Sequence, residues 1–494
     1  MSQVDRRTVL KAGAVVAISG PFAGFFARQA HAAPSATAGP ALVEQPDLRD
    51  GVVRLALPAF LSYRSFQHAI VDTFQGGIPV PGRHDGMAAF AGPNGASVLV
   101  RNHEILGPGP LLAPTPPPYD SAAAGGTINT LVTGEGIVLA SRASLTGTMG
   151  NCAGGPMPWG SWVTCEETIN GPDVFDDFNR GDDPPTTYEA NALLQKPHGY
   201  CFEVPSDDVS TAEPVRAAGR FSHEAIAYSP REDVFYLTED DFGFPSGFYR
   251  YVPPRRPGPT RRLRDGGRLY MLAVRGVPEA RLEAAKQVGV RVPVEWVEID
   301  DADPTFPMNR RGTRPTVTND EAIHAVAEQG WVQGAAYFSR LEGAAYDSDI
   351  VYFVSTQGGG DRAPWTRGDP AVPFPGFGNG FGQIFAYHTL SQELELVYVS
   401  PGPDVLDFPD NITTRSGVLV ICEDGSNGNW LRGLTPSGVL FDIARNLIPR
   451  GTDIGGDEFA GSTFSPDGRT LFVNIQSSTG LSIAIFGDWA AMGV

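Results

Sequence analysis

The sequence predicts an all-β protein, a six-bladed β-propeller that carries a helical and loop insertion in its third blade. The first observation behind this prediction is composition: the chain of 494 residues contains 59 glycines and 43 prolines, and 10% of its residues are aromatic. That balance is typical of many short strands joined by turns. The second observation is a unit that recurs six times, because strands that repeat at a similar spacing indicate a radial β architecture.

Each copy of this unit begins with a polar, usually acidic, residue followed by small or apolar residues, and continues into a strand that ends in a second polar group. The copies begin at Asp85, Cys152, Glu224, Glu342, Asp410 and Glu458. Their strands end at Arg101, Cys165, Thr238, Ser355, Cys422 and Asn474, 12 to 16 positions later. We therefore expect the polar groups to converge on the mouth of a central channel. A β-sandwich whose strands end in polar turns is the alternative.

Two segments outside the regular repeat need separate interpretation. A strand from Val52 to Leu57 is predicted to complete the last blade and to close the ring without an exposed edge. The long gap between Glu224 and Glu342 predicts an insertion at about 254–330, with a helix-like run from Pro278 to Val288. We expect residues 33–494 to form a single propeller domain.

The first 32 residues have the features of an export signal. Arg6 and Arg7 form a twin-arginine pattern, an apolar run follows, and Ala30-His31-Ala32 is typical of a cleavage site. The apolar run is too short and weak for a membrane span, so no stable anchor is expected. The sequence thus predicts a signal peptide over residues 1–32, a partnership with the twin-arginine export machinery, and a periplasmic or secreted monomer.

The net charge of −19 argues against nucleic-acid binding, because phosphate backbones need clustered Lys and Arg. The acidic residues are either a solvated surface or metal ligands. Many carboxylates in one dry channel mouth would repel each other unless cations compensate them. Carboxylate oxygens favour hard cations such as Ca²⁺, and a thiolate favours a transition metal, so one cysteine among many acids indicates iron or zinc beside calcium.

Cys165 has two interpretations that exclude each other. It ends a strand beside Glu166 and could be a thiolate ligand of a metal ion. In an exported protein it could instead form a disulfide with Cys152.

The chemistry that the sequence favours is metal-assisted hydrolysis. No nucleophile elbow, phosphate-binding loop or dinucleotide fingerprint is present in the sequence. Arg340 suits a bidentate grip on an anionic substrate such as phosphate, although a plain ion pair with Glu342 is an equal alternative. Asn102 could hold a second substrate oxygen. Metal ions would polarise the phosphoryl group.

In these residues the chain resembles the PhoX alkaline phosphatases. The shared features are the twin-arginine leader, RNHE, NCAGG followed by PWGSWVTCEE, GRFSHEA, SGFYRYVP, QGAAYFSRLEG, ICEDG and EFAGSTFSPDGRTLFVNIQ. They span almost the whole mature chain in a consistent order, and the NCAGG to TCEE block is the most specific. The resemblance implies a six-bladed propeller that holds two ferric ions and several Ca²⁺ at the channel mouth and hydrolyses phosphomonoesters to release phosphate.

The resemblance also implies roles for individual residues. Cys165 would be a ligand of Fe(III), and Arg340 and Asn102 would hold the phosphate. The nucleophile would come from the metal cluster and not from a side chain. The carboxylate ligands of the iron and calcium ions would be Glu104, Glu166, Glu224 and Glu342, with Asp410 and Glu423 as further candidates.

Two other functions are compatible with a propeller. One is a Ca²⁺-dependent lactonase or esterase, which needs fewer carboxylates and no thiolate ligand, so Cys165 discriminates against it. The other is a non-catalytic propeller with structural Ca²⁺, which has no need of Arg340 beside a metal cluster.

Overall fold

The computed structural model of the chain describes residues 39–175, 191–255, 262–368, 376–426, 428–451 and 453–493. The predicted signal peptide, residues 1–32, lies outside them. No helix in the described part of the chain is both long and apolar enough to cross a membrane.

The chain begins with strands that later complete two different sheets. These are β1 (Leu42–Pro46), β2 (Val53–Pro58) and β3 (Leu61–Phe66), followed by the two-stranded ladder of β4 (Thr73–Phe74) and β5 (Ile78–Pro79).

Two antiparallel sheets follow, each built from strands consecutive in the chain. The first contains β6 (His84–Ala91), β7 (Ser97–His103), β8 (Gly125–Val132) and β9 (Val138–Thr148). The second contains β10 (Asn151–Met157), β11 (Ser161–Glu166) and β12 (Cys201–Pro205).

The third sheet has nine strands. They are β13 (His223–Ser229), β14 (Val234–Glu239), β15 (Phe248–Val252), β16 (Arg268–Val274), β17 (Arg291–Glu298), β18 (Leu341–Asp347), β19 (Ile350–Ser355), β20 (Gln383–His388) and β21 (Glu393–Val399). It consists of two meanders, β13–β17 and β18–β21, that join where β17 pairs with β21 and Arg291 lies opposite Glu395.

The predicted insertion at about 254–330 contributes strands β16 and β17 and two short helices, α1 (Asn319–Ile323) and α2 (Ala325–Trp331). Thr318 and Glu321 form a capping box that starts α1. The helix predicted from Pro278 to Val288 is wrong, because only a 3₁₀ turn, Leu282–Ala284, is present. The N–H groups of Leu282 and Glu283 donate to the Tyr337 carbonyl, so tertiary contacts override local helix propensity.

The last two sheets each take in N-terminal strands. The first of them contains β22 (Pro409–Arg415), β23 (Val418–Glu423), β24 (Trp430–Leu434) and β25 (Leu440–Asn446), extended by β2 and β1. The small ladder of β26 (Pro449–Arg450) and β27 (Asp453–Ile454) follows. The final sheet contains β28 (Phe459–Phe464), β29 (Thr470–Ile475) and β30 (Leu481–Gly487), with β3 at its edge.

The strand predicted to complete the last sheet was placed one strand too early. The segment from Val52 to Leu57 forms β2 and pairs with β25, whereas β3 pairs with β30 from Leu61 opposite Gly487 to Phe66 opposite Ser482. Only a two-residue turn separates β2 from β3, and both strands carry buried apolar side chains, so the hydrophobic pattern does not distinguish them.

Six strands, called the inner strands below, surround a common axis: β6, β10, β13, β18, β22 and β28. Each contacts the next one along the chain, and β28 contacts β6, so the ring closes. Apolar side chains fill the space between adjacent sheets; for example, Val163 of β11 and Phe235 of β14 belong to one buried cluster. The prediction of an all-β, propeller-like fold is confirmed.

Candidate metal centre

Local irregularities near the start of the inner strands direct side chains toward the axis. In five of them the pairing register shifts within the first four residues, for example between His223 and Ile226 of β13 and between Leu341 and Ala344 of β18. Such a β-bulge inserts unpaired residues and re-aims a side chain. The residues that fall inside these five bulges include Asp85, Cys152, Glu224, Glu342 and Asp410.

In four of these five strands a small residue, Gly or Ala, follows the polar side chain and allows the inner strands to approach closely. A Cβ on Gly343 would lie 2.7 Å from the Asp410 carbonyl oxygen and 2.7 Å from the Ile412 nitrogen. A Cβ on Gly86 would lie 2.6 Å from Ala153 Cα. The recurring acidic-then-small pattern is therefore a requirement of the bulge and of backbone contact around the axis.

The structure assembles seven potential ligands, called the donor cluster below: Cys152, Glu167, Glu224, Glu342, Asp410, Asp424 and Glu458. They form three overlapping groups in which one donor atom of each residue lies within 4.8 Å of the others. Glu224 is shared by the first and second groups, and Asp410 by the second and third. Cys152, Glu224 and Glu342 are buried, while the other four are half-buried.

The residues of the donor cluster fit bound cations. Both carboxylate oxygens of Glu224 are buried and have no hydrogen-bond partner among the described residues. Burial and the nearby Asp410 raise the pKa of Glu224 well above its usual range. Burial and Asp424 likewise raise the pKa of Asp410 to about 7. Cations would remove this cost, because they stabilise the ionised carboxylates and the thiolate.

A second set of residues reaches the cluster from the neighbouring strand of each sheet. The first residue of each inner strand pairs with the last residue of the next strand; Asn151, for example, pairs with Glu166, and Pro409 with Glu423. In four of the six cases the residue one position later is acidic: Glu104, Glu167, Asp240 and Asp424. Glu167 and Asp424 belong to the donor cluster.

Of the seven predicted metal ligands, the structure brings Glu224, Glu342 and Asp410 into the cluster. Glu104 lies beside it. Burial raises the pKa of Glu104 to about 7, partly offset by Arg83, whose Nη1 lies 3.4 Å from Glu104 Oε2.

Glu166 is directed away from the cluster and is already satisfied. Its carboxylate accepts hydrogen bonds from the backbone N–H groups of Met149, Gly199 and Tyr200 at 2.9, 2.9 and 3.2 Å. His198 Nδ1 lies 2.6 Å from Glu166 Oε1. These contacts connect β11 to the segment before β12 and leave Glu166 a structural role.

Glu423 also lies outside the donor cluster. Its Oε1 accepts from Arg432 Nε at 2.9 Å and from the Asp407 N–H at 3.2 Å. Arg432 and Glu423 thus form a buried ion pair inside the sheet.

The cysteines are arranged differently from either sequence interpretation. All four are free in the structure, and the donor cluster contains Cys152 and not Cys165. Cys165 points into the apolar layer between two sheets, where its sulfur lies 3.6 Å from the sulfur of Cys201. The disulfide between Cys152 and Cys165, one of the two interpretations of the sequence, is not formed in this structure.

Asn102 of β7 connects the first sheet to the second. Its amide nitrogen donates to the carbonyls of Cys152 and Ala153, each at 2.8 Å, and its oxygen accepts from Trp162 Nε1 at 2.9 Å. Thr238 and Asn474, at the same position of their strands, donate in the same way to Glu342 O and Asp85 O, each at 2.6 Å. These side chains hold each bulge against its neighbour.

Arg340 lies at the edge of the cluster, in the left-handed backbone region with φ of 47°. Its Nη2 lies 2.6 Å from Asp240 Oδ2 and 2.8 Å from Glu342 Oε1. Burial alone would lower the pKa of the guanidinium, but Asp240 and Glu342 raise it, so Arg340 is cationic. It lines a cavity of about 230 Å³ together with Glu167 and Ile323 of α1.

A second, polar cavity of about 500 Å³ also borders the cluster. It is bounded by two cluster carboxylates, Asp424 and Glu458, and by Arg83 and Arg450. Two cavities therefore border residues of the donor cluster.

The predicted ligand set omitted four cluster members: Cys152, Glu167, Asp424 and Glu458, although Cys152 and Glu458 begin two of the repeat units that were expected at the channel mouth. The signal was present for Cys152, because it occupies the same place in its repeat as Glu224. For Glu167 and Asp424 the signal was the second acid of CEE and CED, which strand alternation places on the opposite side from the first.

Comparisons with known proteins identify a family and similar solved structures. A model of the family described as alkaline phosphatase PhoX matches residues 122–479. The chain is similar to the solved structure of Pseudomonas fluorescens PhoX in complex with vanadate, a transition state analogue, at 17% identity and a TM-score of 0.62, covering 92% of this chain and 98% of that one. It is also similar to a gluconolactonase from Xanthomonas campestris, at 11% identity and a TM-score of 0.38, covering 91% and 99% of the two chains. No curated protein gives a significant match.

Proposed function

The chain belongs to the PhoX alkaline phosphatase family and is a phosphatase, and from that premise we propose that it hydrolyses small phosphomonoesters at the donor cluster. The observation that carries this proposal is the cluster itself: one thiol and six carboxylates converge beside a half-buried cation, Arg340. A lactonase or a non-catalytic propeller needs no such combination.

The family is metal-dependent, and we propose a mixed centre of iron and calcium. Cys152 would hold iron together with Glu167 and Glu224, because a thiolate is the donor that selects a transition metal. The two groups made only of carboxylates would hold calcium: Glu342 with Asp410, and Asp424 with Glu458. When bound, these ions supply Lewis acidity for phosphoryl transfer and offset the charge of the cluster. In this assignment Cys152 replaces Cys165 as the thiolate.

Arg340 would bind the phosphoryl oxygens. Its Nε and Nη2 are held by Asp240 and Glu342, and its Nη1 makes no hydrogen bond to any described residue. A guanidinium fixed in this way donates to an oxyanion without reorganising. Asn102, by contrast, uses its amide N–H groups to bind the backbone carbonyls of Cys152 and Ala153. We therefore propose that Asn102 positions Cys152, and not that it binds phosphate as the sequence predicted.

At the level of the whole chain, we propose six blades, one on each inner strand, with the nine-stranded sheet counted as two. Members of the family are exported, and we propose that residues 1–32 are the twin-arginine signal that sends this chain to the periplasm or the medium as a monomer of one domain. Folding before export would let the cluster acquire its metals first.

The test is turnover of p-nitrophenyl phosphate by the purified chain, together with metal analysis. We expect phosphate release, iron and calcium in the protein, and loss of turnover after treatment with a calcium chelator, restored by Ca²⁺. Arg340→Gln should lower kcat/KM at least about 100-fold, as expected for loss of a preorganised donor. Arg231→Gln, which removes an exposed arginine paired with Asp349, is the matched control and should leave turnover unchanged. Opening of a lactone without phosphate release would refute the proposal.

A further inference from the structure

Two thiols that the donor cluster does not use face each other inside the second sheet. Cys165 of β11 and Cys201 of β12 are directly opposite in the antiparallel ladder. Their sulfur atoms lie 3.6 Å apart, and both residues are fully buried.

The backbone around this pair suits a covalent link. The N–H of Glu166 donates to the Tyr200 carbonyl at 3.0 Å, which identifies the next pair along the ladder as a hydrogen-bonded one. Pairs alternate in antiparallel ladders, so Cys165 and Cys201 occupy a non-hydrogen-bonded position, where Cα atoms are about 4.5 Å apart and side chains are closest. A disulfide spans Cα distances of about 4.4–6.8 Å. No movement of the backbone is needed to form one.

The other two cysteines have no such partner. Cys152 lies in the donor cluster, and Cys422 is fully buried in a different apolar cluster. Among the described residues, the sulfurs of Cys165 and Cys201 are the only two in contact. An oxidant that reaches the interior therefore has one dithiol to act on.

We propose that Cys165 and Cys201 form a disulfide that joins β11 to β12, with a small peroxide as the oxidant. Full burial excludes a protein oxidant from the folded chain, whereas hydrogen peroxide is close to the size of water. The Cys201 sulfur attacks one peroxide oxygen, the O–O bond breaks, and a sulfenic acid and one water form. The Cys165 sulfur then attacks Cys201, the S–O bond breaks, and the thiol proton leaves with the hydroxide as a second water. Each sulfur loses one electron, and the peroxide takes up two.

The link has a defined place relative to the metal centre. It lies immediately before Glu166 and Glu167, and Glu167 is a member of the donor cluster. It joins chain segments that are 36 positions apart and adds to the hydrogen bonds by which Glu166 holds Gly199 and Tyr200. The oxidised protein should therefore unfold at a higher temperature than the reduced one.

The test is a peptide map of the purified full-length chain, reduced, desalted and exposed to hydrogen peroxide. Chymotrypsin suits the digestion, because Trp159 and Trp162 separate Cys152 from Cys165. We expect the Cys165 peptide joined to the Cys201 peptide, with the mass of two hydrogens lost. Cys152 and Cys422 should remain open to alkylation after denaturation and serve as controls within the same molecule.

Three results would overturn the proposal: a link between Cys165 and Cys152, sulfinic acid at Cys165 or Cys201, or both thiols still free for alkylation. A second measurement compares unfolding temperatures with and without peroxide. The upward shift should persist in Cys422→Ala and vanish in Cys201→Ala. If Cys201→Ala does not fold, the peptide map of the unaltered chain decides alone. Neither measurement depends on phosphatase turnover.

Discussion

Glu224 shows most directly why the donor cluster fits bound cations. Its two carboxylate oxygens are buried with no hydrogen-bond partner among the described residues, and it belongs to two of the three groups of the donor cluster. An ionised carboxylate buried without compensation costs several kcal/mol. Metal ions on both sides of Glu224 would turn this cost into binding energy.

Glu224→Gln should therefore lower the metal content of the protein and reduce kcat/KM at least about 100-fold, since even residues that only orient ligands contribute about 10- to 100-fold. The metal-free protein should lose no stability, because the substitution removes a carboxyl group whose ionised form is disfavoured by burial and by Asp410. Elemental analysis and thermal unfolding measure the two effects.

Glu423→Gln is the matched control for Glu224→Gln. It breaks a buried ion pair with Arg432, so it should destabilise the protein by about 3–5 kcal/mol while leaving the metal content per folded molecule unchanged. Loss of metal in Glu423→Gln but not in Glu224→Gln would contradict the assignment of the cluster.

The assignment of the thiolate ligand to Cys152 and not to Cys165 can be tested by the same approach. Cys152→Ala should remove the thiolate from the cluster, lower the iron content and abolish turnover. Cys165→Ala should leave iron content and turnover in place, because its sulfur lies 3.6 Å from the sulfur of Cys201 and Cys165 is not a member of the donor cluster. Iron analysis of both variants checks this, and normal iron in Cys152→Ala would exclude Cys152 as the ligand.

At the scale of the strand, the alternation of side chains decided what the sequence could reveal. The polar residue at the start of each inner strand was visible, and it led to the prediction of Glu224, Glu342 and Asp410, which lie in the donor cluster. The strand ends were ambiguous, because neighbouring residues point to opposite sides and a one-residue shift exchanges them. Glu166 was predicted as a metal ligand, whereas Glu167 lies in the donor cluster. Nothing in the sequence CEE indicates which of the two carboxylates accepts backbone hydrogen bonds.

The bulges also make a prediction about close packing. Gly343→Ala would place a Cβ 2.7 Å from backbone atoms of β22, so the inner strands must shift, and we expect a loss of about 1–3 kcal/mol in the free energy of unfolding. Gly402→Ala is the control, because its Cβ would meet nothing within 4 Å. Denaturant unfolding of both variants measures the difference. Equal stability of the two would show that the inner strands are less tightly packed than described.

At the scale of the whole molecule, the sequence predicted the fold class well but did not identify the strand that closes the ring. Six recurring units predicted a ring of strands, because their spacing reflects local geometry. The identity of the closing strand depends on contacts between residues more than 400 positions apart, such as Leu61 and Gly487, which no local pattern encodes.

The cluster also predicts how stability of the metal-free protein depends on pH. The pKa of Glu104 and of Asp410 is raised to about 7, mainly by burial, from ordinary values of 4.5 and 3.8. Between these limits the folded state binds more protons than the unfolded state, so its stability falls as pH rises from about 4 to 7. Thermal unfolding of chelator-treated protein should drop by about 5 °C or more between pH 5 and pH 8.

Calcium should reverse this trend. Metal ions bind the ionised carboxylates, so the stabilisation they provide should grow as pH rises over the same range. An unfolding temperature of the metal-free protein that rises from pH 5 to pH 8 would contradict the burial of repelling acids in the donor cluster.

The pairing of β3 with β30 has a consequence for the order of events during synthesis. β3 is synthesised early but cannot complete its pairing with β30 until residue 487 has been made. Glu458, a member of the third ligand group, is translated only shortly before that residue. The ring cannot close, and the donor cluster cannot be complete, before residue 487 has been synthesised. A stop codon that removes only the hairpin of β29 and β30 would leave all seven cluster residues in the chain but no closed ring to hold them.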